Sequence, residues 1–168
     1  MSQTIVFATV NRFTPWLLAM LLAGCAFTTT PGSITTGMSS ANALASAGEP
    51  SLKMPLPGGE RWFYVQGWYD MRTIAVDMEG NERHVARIVP ALTETHVNQI
   101  QPGMTADAVS FLIGPPYRQV VFQRLGATAW DYRFRDTWGY MVELSVMVDA
   151  QNRVVGKVLQ RIEPVDRD

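Results

Sequence analysis

Hydrophobic positions along residues 104–162 recur first at helical spacing and then at every second residue. Met104, Ala108, Phe111 and Leu112 fall at i, i+4, i+7 and i+8 and predict one apolar helix face. Thr105 stands ahead of them as an N-cap, Asp107 in the first turn favours the helix dipole, and Gly114 with Pro115-Pro116 ends the helix. A shorter helix is expected around Glu94 to Gln99, packed against this one. The period then drops to two. Trp130, Tyr132 and Phe134 alternate with Asp131, Arg133 and Arg135; Val142, Leu144, Val146 and Val148 alternate with Met141, Glu143, Ser145 and Met147. Both runs read as half-buried strands. The turn Asp149-Ala150-Gln151-Asn152 leads to a last strand, Arg153 to Ile162. The expected unit is α+β: two helices and a three-stranded antiparallel sheet, ααβββ.

The chain writes this unit twice. Ile34 to Pro50 lies without gaps on Ile100 to Pro116, with Ile34/Ile100, Gly37/Gly103, Met38/Met104, Gly48/Gly114 and Pro50/Pro116 identical. Trp62 and Tyr64 match Trp130 and Tyr132; Arg83 and Val85 match Arg153 and Val155. A degenerate first repeat is therefore expected over residues 34–90 and a better-written second unit over residues 91–168. In the first, an Ala/Ser-rich helix, Ser39 to Ala47, shows little apolar face. A Pro-rich loop, Glu49 to Glu60, leads to a strand, Arg61 to Val65. A further strand pair, about Arg72 to Asp77 and Arg83 to Val89, turns at Glu79-Gly80-Asn81.

Ahead of both units the pattern is different. Arg12 precedes an apolar stretch from Phe13 to Ala23, broken only by Thr14 and Pro15. About 11 residues is too short for a membrane-spanning helix, which needs roughly 20, and fits a secretory signal. The run Leu22-Ala23-Gly24-Cys25 resembles the bacterial lipobox, in which cleavage before the cysteine leaves a thiol that carries a diacylglycerol. Residues 1–24 are thus expected to be a lipoprotein signal peptide and Cys25 the lipid attachment point. Residues 25–33 would form a lipidated tether, and Ala26 after the cysteine favours the outer membrane. Acyl chains contribute roughly 0.8 kcal/mol per buried methylene, so multiple acylation anchors firmly. The stretch from Ala26 to Ser33 spans at most about 28 Å, which would keep the globular part at the membrane surface.

Composition narrows the chemistry. Fourteen Lys+Arg against fifteen Asp+Glu give a net charge of −1, without the basic excess of a nucleic-acid binder. The single cysteine excludes an internal disulfide and a Cys-based structural zinc site. His84 and His96 lie on a predicted strand and helix and read as surface or satisfied histidines. No nucleophile elbow, phosphate loop, zinc motif or carboxylate pair emerges, so no enzyme and no cofactor or metal is expected.

The string I-x-x-G-M-T, a G-x-P, then W-x-Y-x-F-R and a final hairpin resembles the SmpA/OmlA (BamE) family of outer-membrane assembly lipoproteins. Its positions here are Ile100, Gly103, Met104, Thr105, Gly114, Pro116, Trp130, Tyr132, Phe134 and Arg135; Trp62-Phe63-Tyr64-Val65 is similar to the family's W-F-Y-V. The resemblance implies a non-catalytic accessory subunit of the machinery that assembles β-barrel proteins, on the periplasmic face of the outer membrane. The partners it implies are the barrel subunit, a helical-repeat lipoprotein and anionic phospholipid. The tandem copy departs from the family's single unit and is similar in architecture to the β-lactamase inhibitor protein. A periplasmic inhibitor or ligand-binding module is therefore the alternative reading.

The aromatics Trp62, Tyr64, Trp130, Tyr132 and Phe134 read mainly as core. Trp68-Tyr69 and Trp138-Gly139-Tyr140 fall instead at strand connections, where an aromatic can anchor a partner. The candidate contact residues are Phe134, Arg135, Trp138 and Tyr140. Arg133 and Arg118 join them on the outward strand face beside Arg124, as cations for lipid phosphate or as partners of Asp131 and Glu143.

Overall fold

The computed structural model describes residues 34–66, 72–80 and 83–162. The signal peptide, Cys25, the tether and the Trp68-Tyr69 pair lie outside the described residues.

The first unit is α1 (Ser40–Ala47) followed by β1 (Leu52–Leu56), β2 (Gly59–Val65), β3 (Thr73–Glu79) and β4 (His84–Pro90). The second is α2 (Glu94–Gln99), α3 (Ala106–Ile113), then β5 (Arg118–Phe122), β6 (Ala127–Arg135), β7 (Met141–Asp149) and β8 (Val154–Arg161). A single 3-10 turn, Gln123–Leu125, joins β5 to β6. The fold is α+β, with two four-stranded sheets in the orders β1-β2-β3-β4 and β5-β6-β7-β8, antiparallel throughout.

Each sheet thus has four strands where three are expected, and the additional ones are β1 and β5. Both are short outer strands. β1 carries Pro55, and β5 leaves all but Val120 exposed. β1 does alternate, with Leu52, Met54 and Leu56 half-buried, but it lies inside the stretch read as a Pro-rich loop over residues 49–60, whereas β5 has no buried face to impose a period of two.

The two units share local devices. Ser39 and Thr105 cap α1 and α3 through their hydroxyls, accepting from Asn42 N and Ala108 N. Gly48 and Gly114 close those helices with φ of 75° and 85°. Tyr64 and Tyr132 reach back from β2 and β6 to donate to the Gly48 and Gly114 carbonyls. Burial and the Glu49 charge push the Tyr64 hydroxyl up to about 12, and burial raises Tyr132 further. Val85 N donates to Met38 O, and Val154 N to Met104 O. That pairs Val85 with Val154, one residue away from the alignment that sequence identity suggests.

The second core gathers Val97 and Ile100 of α2, Val109 and Ile113 of α3, Tyr132 and Phe134 of β6, and the inward valines and leucine of β7. α3 buries Ala106, Val109, Ser110 and Ile113 rather than the expected Met104/Ala108/Phe111/Leu112 face. The sequence ADAVSFLI is apolar on more than one side because α3 has two neighbours. One is its own sheet. The other is the first unit, where the Arg61 guanidinium lies 4.4 Å from the Phe111 ring centroid and donates to Phe111 O at 3.3 Å.

The first sheet is accordingly covered on both faces. One carries Trp62, Tyr64, Val76, Met78 and Val85 against α1. The other carries Phe63, Ala75 and Ala91, with Leu52, Met54 and Val89 beside them. Asp77 lies on this second face, 1% exposed, bridged to Arg61 and Arg87 at 2.7 Å each. The connection to α2 is tied down as well, since Ala91 N and Leu92 N both donate to Thr73 O, at 2.8 and 3.4 Å.

Gly114 sits at the contact between units. A Cβ there would stand 2.7 Å from Thr73 Cγ2 and 3.1 Å from Phe63 Cδ1, whereas one at Gly48 would meet nothing within 4 Å. Both positions have positive φ, so Gly48→Ala should cost only the backbone part, about 1 kcal/mol. Gly114→Ala should cost more, about 2–4 kcal/mol, as Thr73 and Phe63 are displaced. Thermal melts of the two variants would measure the interface; equal losses would deny that it is packed.

Candidate functional site: the β6–β7 turn and the outward face of the second sheet

The turn between β6 and β7 is fixed by one carboxylate. Asp136 Oδ1 accepts from Trp138 N at 3.0 Å and Tyr140 N at 2.9 Å, while its Oδ2 accepts from Arg161 Nε at 3.0 Å. Asp136 N donates to Tyr140 O, Gly139 N donates to Asp136 O, and Gly139 takes a φ of 84° that the turn requires. Burial works against the charge on Asp136, but the backbone N–H groups of Tyr140 and Trp138 and the Arg161 guanidinium hold its carboxyl below the usual range.

A second carboxylate reaches in from α2. Glu94 Oε2 accepts from Thr137 N at 3.1 Å and from the Thr137 hydroxyl. These two hydrogen bonds lower the Glu94 pKa. Arg135 Nη1 donates to Gly139 O at 3.0 Å, and Arg161 stacks 4.7 Å from the Tyr140 ring centroid.

The result is a rigid turn that holds aromatics in solvent. Trp138 is 82% exposed and Tyr140 54%. The backbone that carries them is fixed before any partner arrives, which lowers the entropy cost of docking. A shallow cleft of about 330 Å³ beside the turn is lined by Leu92, Thr93, Glu94, Asn98, Arg135 and Thr137.

Phe134 does not belong to this surface. It is 1% exposed, inside the second core with Tyr132, because 130, 132 and 134 share the inner face of β6. Trp130 packs partly buried against the same core.

Arg118 and Arg133 do lie on the outward face, but acids beside them neutralise both. Arg118 bridges Asp131 at 2.7 Å and Glu143 at 3.4 Å, and Arg133 meets Glu143 at 3.4 Å. Tyr117 donates to Glu143 at 3.0 Å with its ring 4.9 Å from the Arg133 guanidinium, and Ser145 Oγ donates to Asp131 at 2.6 Å. Asp131 is only 3% exposed despite facing outward, since Arg118 and Ser145 close over it. A lipid phosphate here would have to compete with these carboxylates.

The residues that build the turn are mostly ones the sequence reading passes over. Asp136 two positions before Trp138, with Gly139 following, is an Asx-turn pattern and was readable. Glu94 and Arg161 act across the fold, from 43 and 25 residues away, and nothing local announces them.

Among the described residues no three His, Cys, Asp or Glu side chains are grouped to hold a metal ion, and no helix is long and apolar enough to cross a membrane.

Several solved structures resemble the chain distantly. A DUF4309 family protein from Bacillus subtilis shares 13% identity over 74% of this chain and 78% of its own, with a TM-score of 0.27. An extracellular protein containing an SCP domain from Bacillus anthracis shares 17% over 77% of this chain and 50% of its own, with a TM-score of 0.29. A candidate β-lactamase inhibitor protein from Streptococcus mutans shares 11% over 79% and 88%, with a TM-score of 0.28. None is close enough to support a functional statement. No curated protein matches the chain significantly. The family comparison is informative: residues 91–155, which hold α2, α3, β5, β6, β7, the start of β8 and both sides of the Trp138 turn, match the model of the outer membrane protein assembly factor BamE domain.

Proposed function

We propose that the protein is a lipid-anchored, non-catalytic accessory subunit of the machinery that assembles β-barrel proteins in the outer membrane. The observation that carries this reading is the BamE domain over residues 91–155. The pre-ordered Trp138 turn supports a scaffolding role, since it offers a large aromatic contact and no catalytic grouping. Attachment through Cys25 at the periplasmic face of the outer membrane, and contacts to the barrel subunit and a helical-repeat lipoprotein, follow from the same reading. The recurring caps and tyrosine–glycine contacts of the two units support their origin as tandem copies, with the first copy serving to brace the second.

Pull-down from detergent-solubilised envelopes tests the role. The barrel-assembly subunits should co-purify with the tagged chain; recovery of a soluble periplasmic enzyme in their place would favour an inhibitor. For the anchor, Cys25→Ala should abolish labelling by a fatty-acid analogue and release the protein from membranes. Undiminished labelling of that variant would refute attachment at Cys25.

A further inference from the structure

The two ends of this protein carry different turns. β6 is nine residues long, about 30 Å, so the turns at its two ends stand that far apart. One is the Trp138 turn. The other is the 3-10 turn Gln123–Leu125, and the pairing of Ala127 with Asp149 puts the β7–β8 turn at the same end. The start of α3 lies there too, since Thr105 is bridged to Arg153 and Ala106 N donates to Asn152 O.

The first unit points the same way. Along α3, Phe111 meets Arg61 of β2, and one turn later Gly114 stands against Phe63 of the same strand. The start of α3 is therefore directed toward Gly59, where β2 begins. Gly59 pairs with Glu79, so the β3–β4 connection lies at that end. The chain enters the fold beside it: Gly37 N donates to Val85 O and Ser40 N to Arg83 O. Chain entry and the β5–β6 turn thus share one end of the molecule, and the Trp138 turn occupies the other.

The shared end is apolar where it projects. Val121 is 68% exposed, Phe122 43% and Leu125 70%. Arg124 between them is exposed and, among the described residues, pairs with no acid. Large apolar side chains held together in water mark a contact surface.

We propose that the β5–β6 turn dips into the lipid surface that holds Cys25, with Val121, Phe122 and Leu125 among the acyl chains and Arg124 at headgroup level. This rests on the anchor proposed above. Reach selects the occupant. The eight residues from Ala26 to Ser33 span at most about 28 Å and join the fold at this end, so the membrane is the surface the turn meets. Chemistry agrees with reach. Between Val121 and Gly126 only Gln123 and Arg124 carry polar side chains, few to orient a protein partner, whereas a bilayer requires only apolar area and a cation at its interface. The Trp138 turn is then presented about 30 Å further from the lipid.

The test uses the full lipidated chain, purified in detergent and reconstituted into phosphatidylcholine vesicles containing a nitroxide-labelled lipid. With Cys25 acylated, Leu125→Cys and Trp138→Cys each offer one thiol to an environment-sensitive dye. Flotation with the vesicles reads the anchor, and quenching by the nitroxide reads the turn. Quenching should be at least about threefold stronger from position 125 than from position 138, and indifferent to salt, because apolar insertion is not screened. With the dye moved to Gln123→Cys, adding Val121→Asp and Leu125→Asp should cut quenching at least about threefold. Both side chains lie mostly in solvent, so the melting temperature should hold. Equal quenching at the two positions, quenching abolished by salt, or quenching that survives the paired aspartates would overturn the proposal. So would a dye at position 125 that stays water-like until envelope proteins are added, which would give the turn to a protein partner. Flotation without quenching removes the insertion alone and leaves the accessory role standing; loss of flotation removes the anchor and this proposal with it.

Discussion

Phe134→Ala and Trp138→Ala should fail in opposite ways, although the two residues are four apart on one hairpin. Phe134 is 1% exposed among Tyr132, Leu144 and Val142, so truncation leaves a cavity in the second core. About 3–5 kcal/mol of stability should be lost, visible as a large drop in melting temperature. Trp138 is 82% exposed, and its backbone is held by Asp136 whatever side chain it carries. Its replacement should shift stability by less than about 0.5 kcal/mol. If the turn anchors a partner, binding should nevertheless weaken by more than ~2 kcal/mol, roughly 30-fold in affinity. Melts and quantitative pull-downs on both variants separate core from site. Wild-type binding by Trp138→Ala would reduce the aromatic turn to decoration.

The second large effect is expected at the junction of the units. Asp77→Ala leaves Arg61, with 13% of its side chain exposed, facing Arg87 with no counter-charge. Breaking a buried pair in this way costs about 3–5 kcal/mol. The same carboxylate makes the wild-type protein acid-sensitive. Burial alone would raise the Asp77 pKa, but the hydrogen bonds and charges of Arg61 and Arg87 outweigh it and hold the value below the ordinary 3.8. A depressed folded-state pKa contributes stability that is fully present above the unfolded value and is lost as pH falls through the folded one. Denaturation between pH 5 and pH 2 should therefore be shallower in Asp77→Ala than in the wild type; parallel acid limbs would remove Asp77 from the account.

How far the fold was legible depended on whether local chemistry and burial agreed. The caps at Thr105 and Gly114 and the alternation in β7 are local, and the structure follows them. β5 was hidden because an outer strand without a buried face has no period to read, and β1 because Pro55 and its flanking prolines read as a loop although Leu52, Met54 and Leu56 alternate inward. The face of α3 was misplaced for the opposite reason: Phe111 is apolar on behalf of Arg61 in the other unit, and a single-helix reading assigns it to the helix's own core. Phe134 shows a third limit. A motif position can be recognisable because it packs, and recognisability alone does not put a side chain in solvent. At the candidate site Asp136 was within reach of turn chemistry, whereas Glu94 and Arg161 arrive only once α2 and β8 are folded around the turn.

The tied connection at Ala91 and Leu92 has a mechanical consequence. A loose joint between two bodies absorbs a pull; here the peptide that leaves β4 is bonded at once to Thr73 of β3, and Arg61 of β2 and Gly114 at the end of α3 brace the two units. Load entering at Ile34 would pass to α2 and the Trp138 turn as through a stiff strut, with no slack to take up. Under the anchor proposed at Cys25, the two units would move as one body, a spacer whose length is written into its packing.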